Sequence, residues 1–87
     1  MWEANIASAG SSGADFGSAS DDDLLAAGRK ACSYYDTGAD YKTVRAMMAL
    51  ELPDDANDNA HTAVAMIAAM TLCGEYADEV TAAATGS

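Results

Sequence analysis

An all-α fold, a small bundle of three main helices between disordered ends, is predicted for this 87-residue chain by three observations. Apolar residues recur at helical spacing in three central segments. Capping residues and helix breakers separate those segments. Alanine, the strongest helix former, fills the third of them.

Residues 1–20, MWEANIASAGSSGADFGSAS, are rich in Gly, Ser and Ala, with Trp2, Ile6 and Phe16 as isolated large apolar residues. The segment shows no sustained periodicity and reads as a flexible tail. Residues 81–87 are expected to fray in the same way, with their alanines able to extend the last helix by a turn. The folded domain is therefore expected at 21–80, about 60 residues, a size at which a hydrophobic core alone is marginal and a staple is usual.

The first helix is expected to begin at Asp21, Asp22 and Asp23, whose carboxylates oppose the positive end of the helix dipole, with Ser20 as the competing cap. Leu24, Leu25, Gly28, Ala31, Cys32 and Tyr35 then form one apolar stripe, while Arg29, Lys30 and Ser33 turn to solvent. Glycine at position 28 costs up to about 1 kcal/mol against alanine, which makes sense where another element crosses closely. Asp36, Thr37 and Gly38 end the helix, Gly38 supplying the left-handed residue.

Asp40 caps the second helix, in which Tyr41, Val44, Met47, Met48 and Glu51 or Leu52 trace the inner stripe; Pro53 stops it. The polar connection PDDANDNA leads to a cap at Asp58 or Asn59 and a third helix from Ala60 to about Tyr76. Its buried face is expected to hold Val64, Ile67, Ala68, Thr71 and Leu72, with Cys73 near its end. Should the first and third helices pack side by side, Cys32 and Cys73 come within bonding reach.

Charge and cysteine usage exclude several functions. The net charge of −10 repels nucleic-acid phosphates and anionic lipid head groups, so no nucleic-acid binding is expected. The acids lie scattered in tails and loops, which suits solubility, with a basic protein partner as the functional alternative. Two cysteines 41 positions apart and one histidine provide no zinc or iron–sulfur ligand set, so no metal and no cofactor are expected. The cysteine pair fits either one disulfide, implying an oxidising compartment, or two buried free thiols in a cytosolic protein. No run approaches the roughly 18 to 20 apolar residues of a membrane span. The start MWEANIASAG has neither a basic nor an apolar leader region, and no signal peptide is expected within it.

Catalytic signals are weak. His61 has no serine or thiol nucleophile at a recognisable spacing and reads as a residue near a helix start. Asp55, Asn57 and Asn59 match the first half of a calcium loop, but Ala60 holds the glycine position and Met66 the glutamate position, so the segment reads as a solvated loop and cap. Met47, Met48, Met66 and Met70 with the tyrosines fit a core better than an adaptable binding surface. Tyr34 and Tyr35 differ by about 100° on a helix and cannot both face inward. Tyr35 follows the apolar stripe, leaving Tyr34 for contact.

The pattern ACSYYDTGADYKTVRAMM followed by AHTAVAMIAAMTLCGEY, after the aspartate-rich DDDLLAAG, resembles the domain of unknown function 732 over about residues 21–76. That family is a small helical domain of exported actinobacterial proteins, abundant in mycobacteria; its second cysteine is usually followed by proline, where this chain has Gly74. The resemblance implies a disulfide between Cys32 and Cys73, an extracytoplasmic location, secreted or at the cell envelope, and no assigned activity. The expected function is a monomeric, non-catalytic accessory or binding domain that contacts a protein through Tyr34, Tyr35 and Asp36. The alternative is a phage-encoded or cytosolic acidic protein, an inhibitor or virion component, that binds a basic surface.

Overall fold

The computed structural model describes residues 2–86, and among them every regular element is helical. Five α-helices, α1 (Trp2–Ser11), α2 (Asp21–Asp36), α3 (Tyr41–Glu51), α4 (Asp58–Ile67) and α5 (Ala77–Gly86), replace the three main helices expected. A π-helical turn (Ala68–Leu72) and a 3-10 turn (Gly74–Tyr76) join α4 to α5. Of the expected tails, Met1 and Ser87 lie outside the described residues.

The first difference is α1, where a flexible tail is expected. Trp2, Ile6 and Ala9 follow one another at helical spacing on one face, and Ile6 is buried in the core with Trp2 and Ala9 packed against it. A ten-residue helix is marginal in isolation, so docking rather than propensity makes it form. The following loop is clipped to the start of α4. Asn57 N–H donates to Asp15 O at 2.9 Å, Asp15 N–H donates to Asn57 Oδ1 at 3.0 Å, and Asn57 Nδ2 donates to Gly13 O at 3.0 Å.

α2 starts as a capping box. Ser20 Oγ accepts from Asp23 N–H at 3.1 Å, and Asp23 Oδ2 accepts from Ser20 N–H at 3.2 Å, so Ser20 is the cap and the aspartates occupy the first turn. The helix ends at Asp36, and Gly38 takes φ +96°, the left-handed conformation expected of it. Asp40 Oδ1 accepts from Thr43 N–H at 2.9 Å and caps α3; hydrogen bonding from the Thr43 side chain, and then from its N–H, holds the Asp40 carboxyl below the usual carboxylate range. For α4 the cap is Asn57, one or two residues earlier than expected, because its Oδ1 reaches Ala60 N–H at 2.9 Å.

The core lies between α2, α3 and α4. Val44 and Met48 from α3 and Val64 from α4 are fully buried, and the alanines at 60, 65, 68 and 69 let the backbone of α4 and of the π-helical turn after it approach its neighbours closely. α5 closes the end of the bundle with Val80, 1% exposed, and runs on to Gly86 through a stretch where a fraying tail is expected. Gly28 is a point of close approach, as expected, and what lies above it is the Trp2 indole from α1. A Cβ at position 28 would lie 2.5 Å from the ring and 3.0 Å from Leu72 Cδ1.

The third helix departs from the expected continuous path. Cys73 N–H donates to Ala68 O at 3.0 Å, five residues back, so one extra residue enters the turn and everything beyond it rotates by about 100° relative to an unbroken α-helix. Leu72, expected on the buried face, is consequently 37% exposed.

Candidate functional site

The C-terminal turn of α2 places Tyr34, Tyr35 and Asp36 in three different environments. Tyr34 is half-buried and turns towards α3, where its hydroxyl donates to Glu51 Oε2 at 2.9 Å. That bond, with partial desolvation and the carboxylate charge, raises the phenol above its ordinary pKa. Tyr35 turns the other way, is 3% exposed, and donates its hydroxyl to Ala65 O of α4 at 2.8 Å. Burial is the main cause that pushes its pKa upward. Asp36 is exposed and accepts a hydrogen bond from the Tyr76 hydroxyl, which pushes Tyr76 up to about 12. The Tyr76 ring stacks on Tyr35 with centroids 5.4 Å apart and an interplanar angle of 25°.

The three residues singled out in the sequence therefore do not share one surface. Tyr34 and Asp36 reach solvent, and Tyr35 is a core residue. Glu51 and Tyr76 complete the cluster, and neither was among the candidate site residues. Spacing places position 51 on an inner stripe of its helix, and Tyr76 lies 40 residues from Asp36, a separation over which spacing carries no signal.

Cys32 and Cys73 form a disulfide with their Cα atoms 5.9 Å apart. Both sulfurs rest on Ala68 O, at 3.7 and 3.4 Å, the same carbonyl that accepts the π-type bond from Cys73 N–H. The cross-link thus ties the C-terminal half of α2 to the end of the π-helical turn that follows α4.

The remaining sequence candidates are absorbed by local structure. Asp55 Oδ1 accepts from Ser18 Oγ at 3.3 Å and Asn57 is spent on its cap and clip, so the oxygens of the calcium-like segment close a loop rather than converge on one point. Among the described residues, no group of three or more metal-ligating side chains comes together. His61 Nδ1 sits 3.7 Å from Asp58 Oδ1, beside a shallow depression that Arg45 also lines. Arg45 itself stacks over the Tyr41 ring at 5.7 Å.

A second concavity lies between α1 and the start of α2, about 320 Å³ in volume. Trp2, Ile6, Leu24 and Leu25 line it, with Glu3, Asp21 and Asp22 among its polar lining residues. The sequence reading missed it because it depends on α1; the spacing of Trp2 and Ile6, four residues apart, is the signal that marks that helix. No helix among the described residues is long and apolar enough to cross a membrane.

No curated protein and no solved structure matches the chain. The family model described as Protein of unknown function (DUF732) matches residues 4–75, a stretch that begins inside α1 and takes in both cysteines, the capped starts of α2, α3 and α4, and the π-helical turn. Covering well over half of the sequence, that match establishes that the chain belongs to the DUF732 family.

Proposed function

We propose that this chain is a non-catalytic binding domain of an oxidising compartment outside the cytoplasm, secreted or held at the cell envelope. The observation that carries the reading is the Cys32–Cys73 disulfide, because such bonds persist where thiols are not kept reduced. Three further features favour binding over catalysis. Both thiols are consumed in the cross-link. The charged partner of His61 is an exposed aspartate, Asp58. The shifts of Tyr34, Tyr35 and Tyr76 all run upward, which favours a neutral phenol donor over a phenolate base or nucleophile. The contact face of this reading is the Tyr34 ring with its partner Glu51, on a monomer.

Intact mass of protein isolated from its native source, alkylated before and after reduction, tests the reading. Two alkyl groups gained only after reduction are expected. Alkylation without reduction would overturn it and favour a cytosolic or phage-encoded acidic protein that binds a basic surface. A reaction abolished by His61→Ala would overturn the non-catalytic part separately.

A further inference from the structure

We propose that the groove between α1 and α2 binds a cationic peptide segment carrying a bulky apolar side chain beside its basic residues. The proposal deepens the binding reading but stands apart from the compartment, since it rests on a different face from Tyr34.

The floor of the groove is built and apolar. Ile6 is 8% and Leu24 4% exposed, and Trp2 and Leu25 are half-buried beside them. Trp2 is seated over Gly28 with Leu72 against the same spot, so its indole forms a fixed wall. Leu72, half on the surface after the π-helical turn, adds apolar surface on the far side of that wall. A volume of about 320 Å³ lies at the low end of the range for small-ligand sites, roughly 300–1,000 Å³. It accommodates one or two side chains, not a folded element.

The polar lining has one sign. Glu3, Asp21 and Asp22 are exposed, and none of them has an ion-pair or hydrogen-bond partner among the described residues. The nearest cations along α2, Arg29 and Lys30, lie about two turns further on. An apolar anchor alone would gain nothing from the three solvated carboxylates at the rim, and an anionic amphiphile such as a fatty acid would be repelled by them. Lysine or arginine flanking a leucine or phenylalanine satisfies both the floor and the rim.

Trp2 is the only tryptophan, so its emission reports occupancy directly. The probe is the acetylated peptide amide Arg-Leu-Phe-Lys-Arg, titrated at low salt into the full chain. A saturable change in Trp2 emission is expected, weakened at least fivefold in Asp21→Asn/Asp22→Asn and lost in 1 M salt. Replacing Leu-Phe by Ala-Ala in the peptide should weaken binding by at least tenfold. The variant Asp54→Asn/Asp78→Asn removes the same charge from sites outside the groove and should bind as the wild type does. Equal weakening by the two double variants would reduce the effect to general attraction by an acidic protein and overturn the proposal. So would equal binding of the Ala-Ala peptide, of Glu-Leu-Phe-Glu-Glu, or of a neutral detergent monomer. Circular dichroism checks that each variant keeps its helices, which the Ser20–Asp23 capping box is left intact to ensure. Failure of the titration leaves the mass-spectrometric test of the disulfide unaffected, so the two readings fall separately.

Discussion

The turn from α2 to α3 and the passage from α4 to α5 both redirect a helix, but they draw on different chemistry. The first is made of neighbours: the Thr37 and Gly38 backbone N–H groups return to carbonyls of the last helical turn, Thr37 Oγ1 donates to Tyr34 O at 2.7 Å, and Asp40 caps the next helix. The second is made of distant partners. Cys73 is bonded to Cys32, and Tyr76 stacks on Tyr35 and donates to Asp36, 40 residues earlier in sequence. A joint of the first kind survives as a local motif, whereas a joint of the second kind exists only while the bundle around it is folded.

Reducing the disulfide should separate the two most sharply. Closing a loop over a separation of 41 residues contributes about 4 kcal/mol by chain entropy, which approaches the whole stability of a small domain, roughly 5–15 kcal/mol. Chemical denaturation of Cys32→Ala/Cys73→Ala should show that loss. Amide exchange should accelerate first in the α4–α5 passage while the Asp40 cap stays protected. Equal acceleration at both joints would remove the distinction.

The glycines of the two joints offer the next contrast. Gly38 has φ +96° and open space where a Cβ would stand, so Gly38→Ala is strained by the backbone alone and should cost about 1 to 2 kcal/mol. Gly74 also has open space but no positive φ. Gly74→Ala should therefore stabilise by about 0.4 to 1 kcal/mol, by restricting the unfolded chain. Urea midpoints of the two variants moving in the same direction would break the comparison.

The smallest effect at neutral pH is the tyrosine contribution, which becomes visible in alkali. Tyr76 is held at about 12 in the folded chain against an ordinary 10.0. Below pH 10 both states keep the proton and the contribution is complete. As pH rises from 10 to 12 the unfolded chain releases its proton first, so stability falls across that window. Tyr76→Phe should flatten the decline in urea midpoint there. An unchanged slope would show that the Asp36–Tyr76 bond does not couple to folding. Asp40 acts in the opposite sense: its lowered pKa gives a contribution present above the ordinary carboxylate value and lost as pH falls below it.

The same division explains what sequence could show about the candidate sites. Tyr35 is legible as an inward residue because it extends the Leu24, Gly28 and Ala31 stripe on a single helix. The partners that fix Tyr34 and Asp36, Glu51 and Tyr76, lie 17 and 40 residues away and cannot be read from spacing. The groove at Trp2 was hidden for another reason. A segment rich in Gly, Ser and Ala carries little helical signal of its own, and Trp2 and Ile6 acquire meaning only against the face of α2 and α4 that receives them.

By itself, the sequence determined the helical class, the capped starts of α2 and α3, the left-handed turn at Gly38 and the identity of the only two residues able to cross-link. Each follows from groups within a few residues of one another, where hydrogen-bond geometry and side-chain periodicity act directly. Only the tertiary structure decided that Trp2–Ser11 is a helix, that α4 gives way to a π-helical turn at Ala68, and that Leu72 comes to the surface. These features belong to segments whose local preferences are weak or conflict with a distant constraint, the docking of α1 in one case and the Cys32–Cys73 bond in the other. In such segments, packing and covalent closure outweigh the fraction of a kilocalorie per residue by which one local conformation is preferred to another.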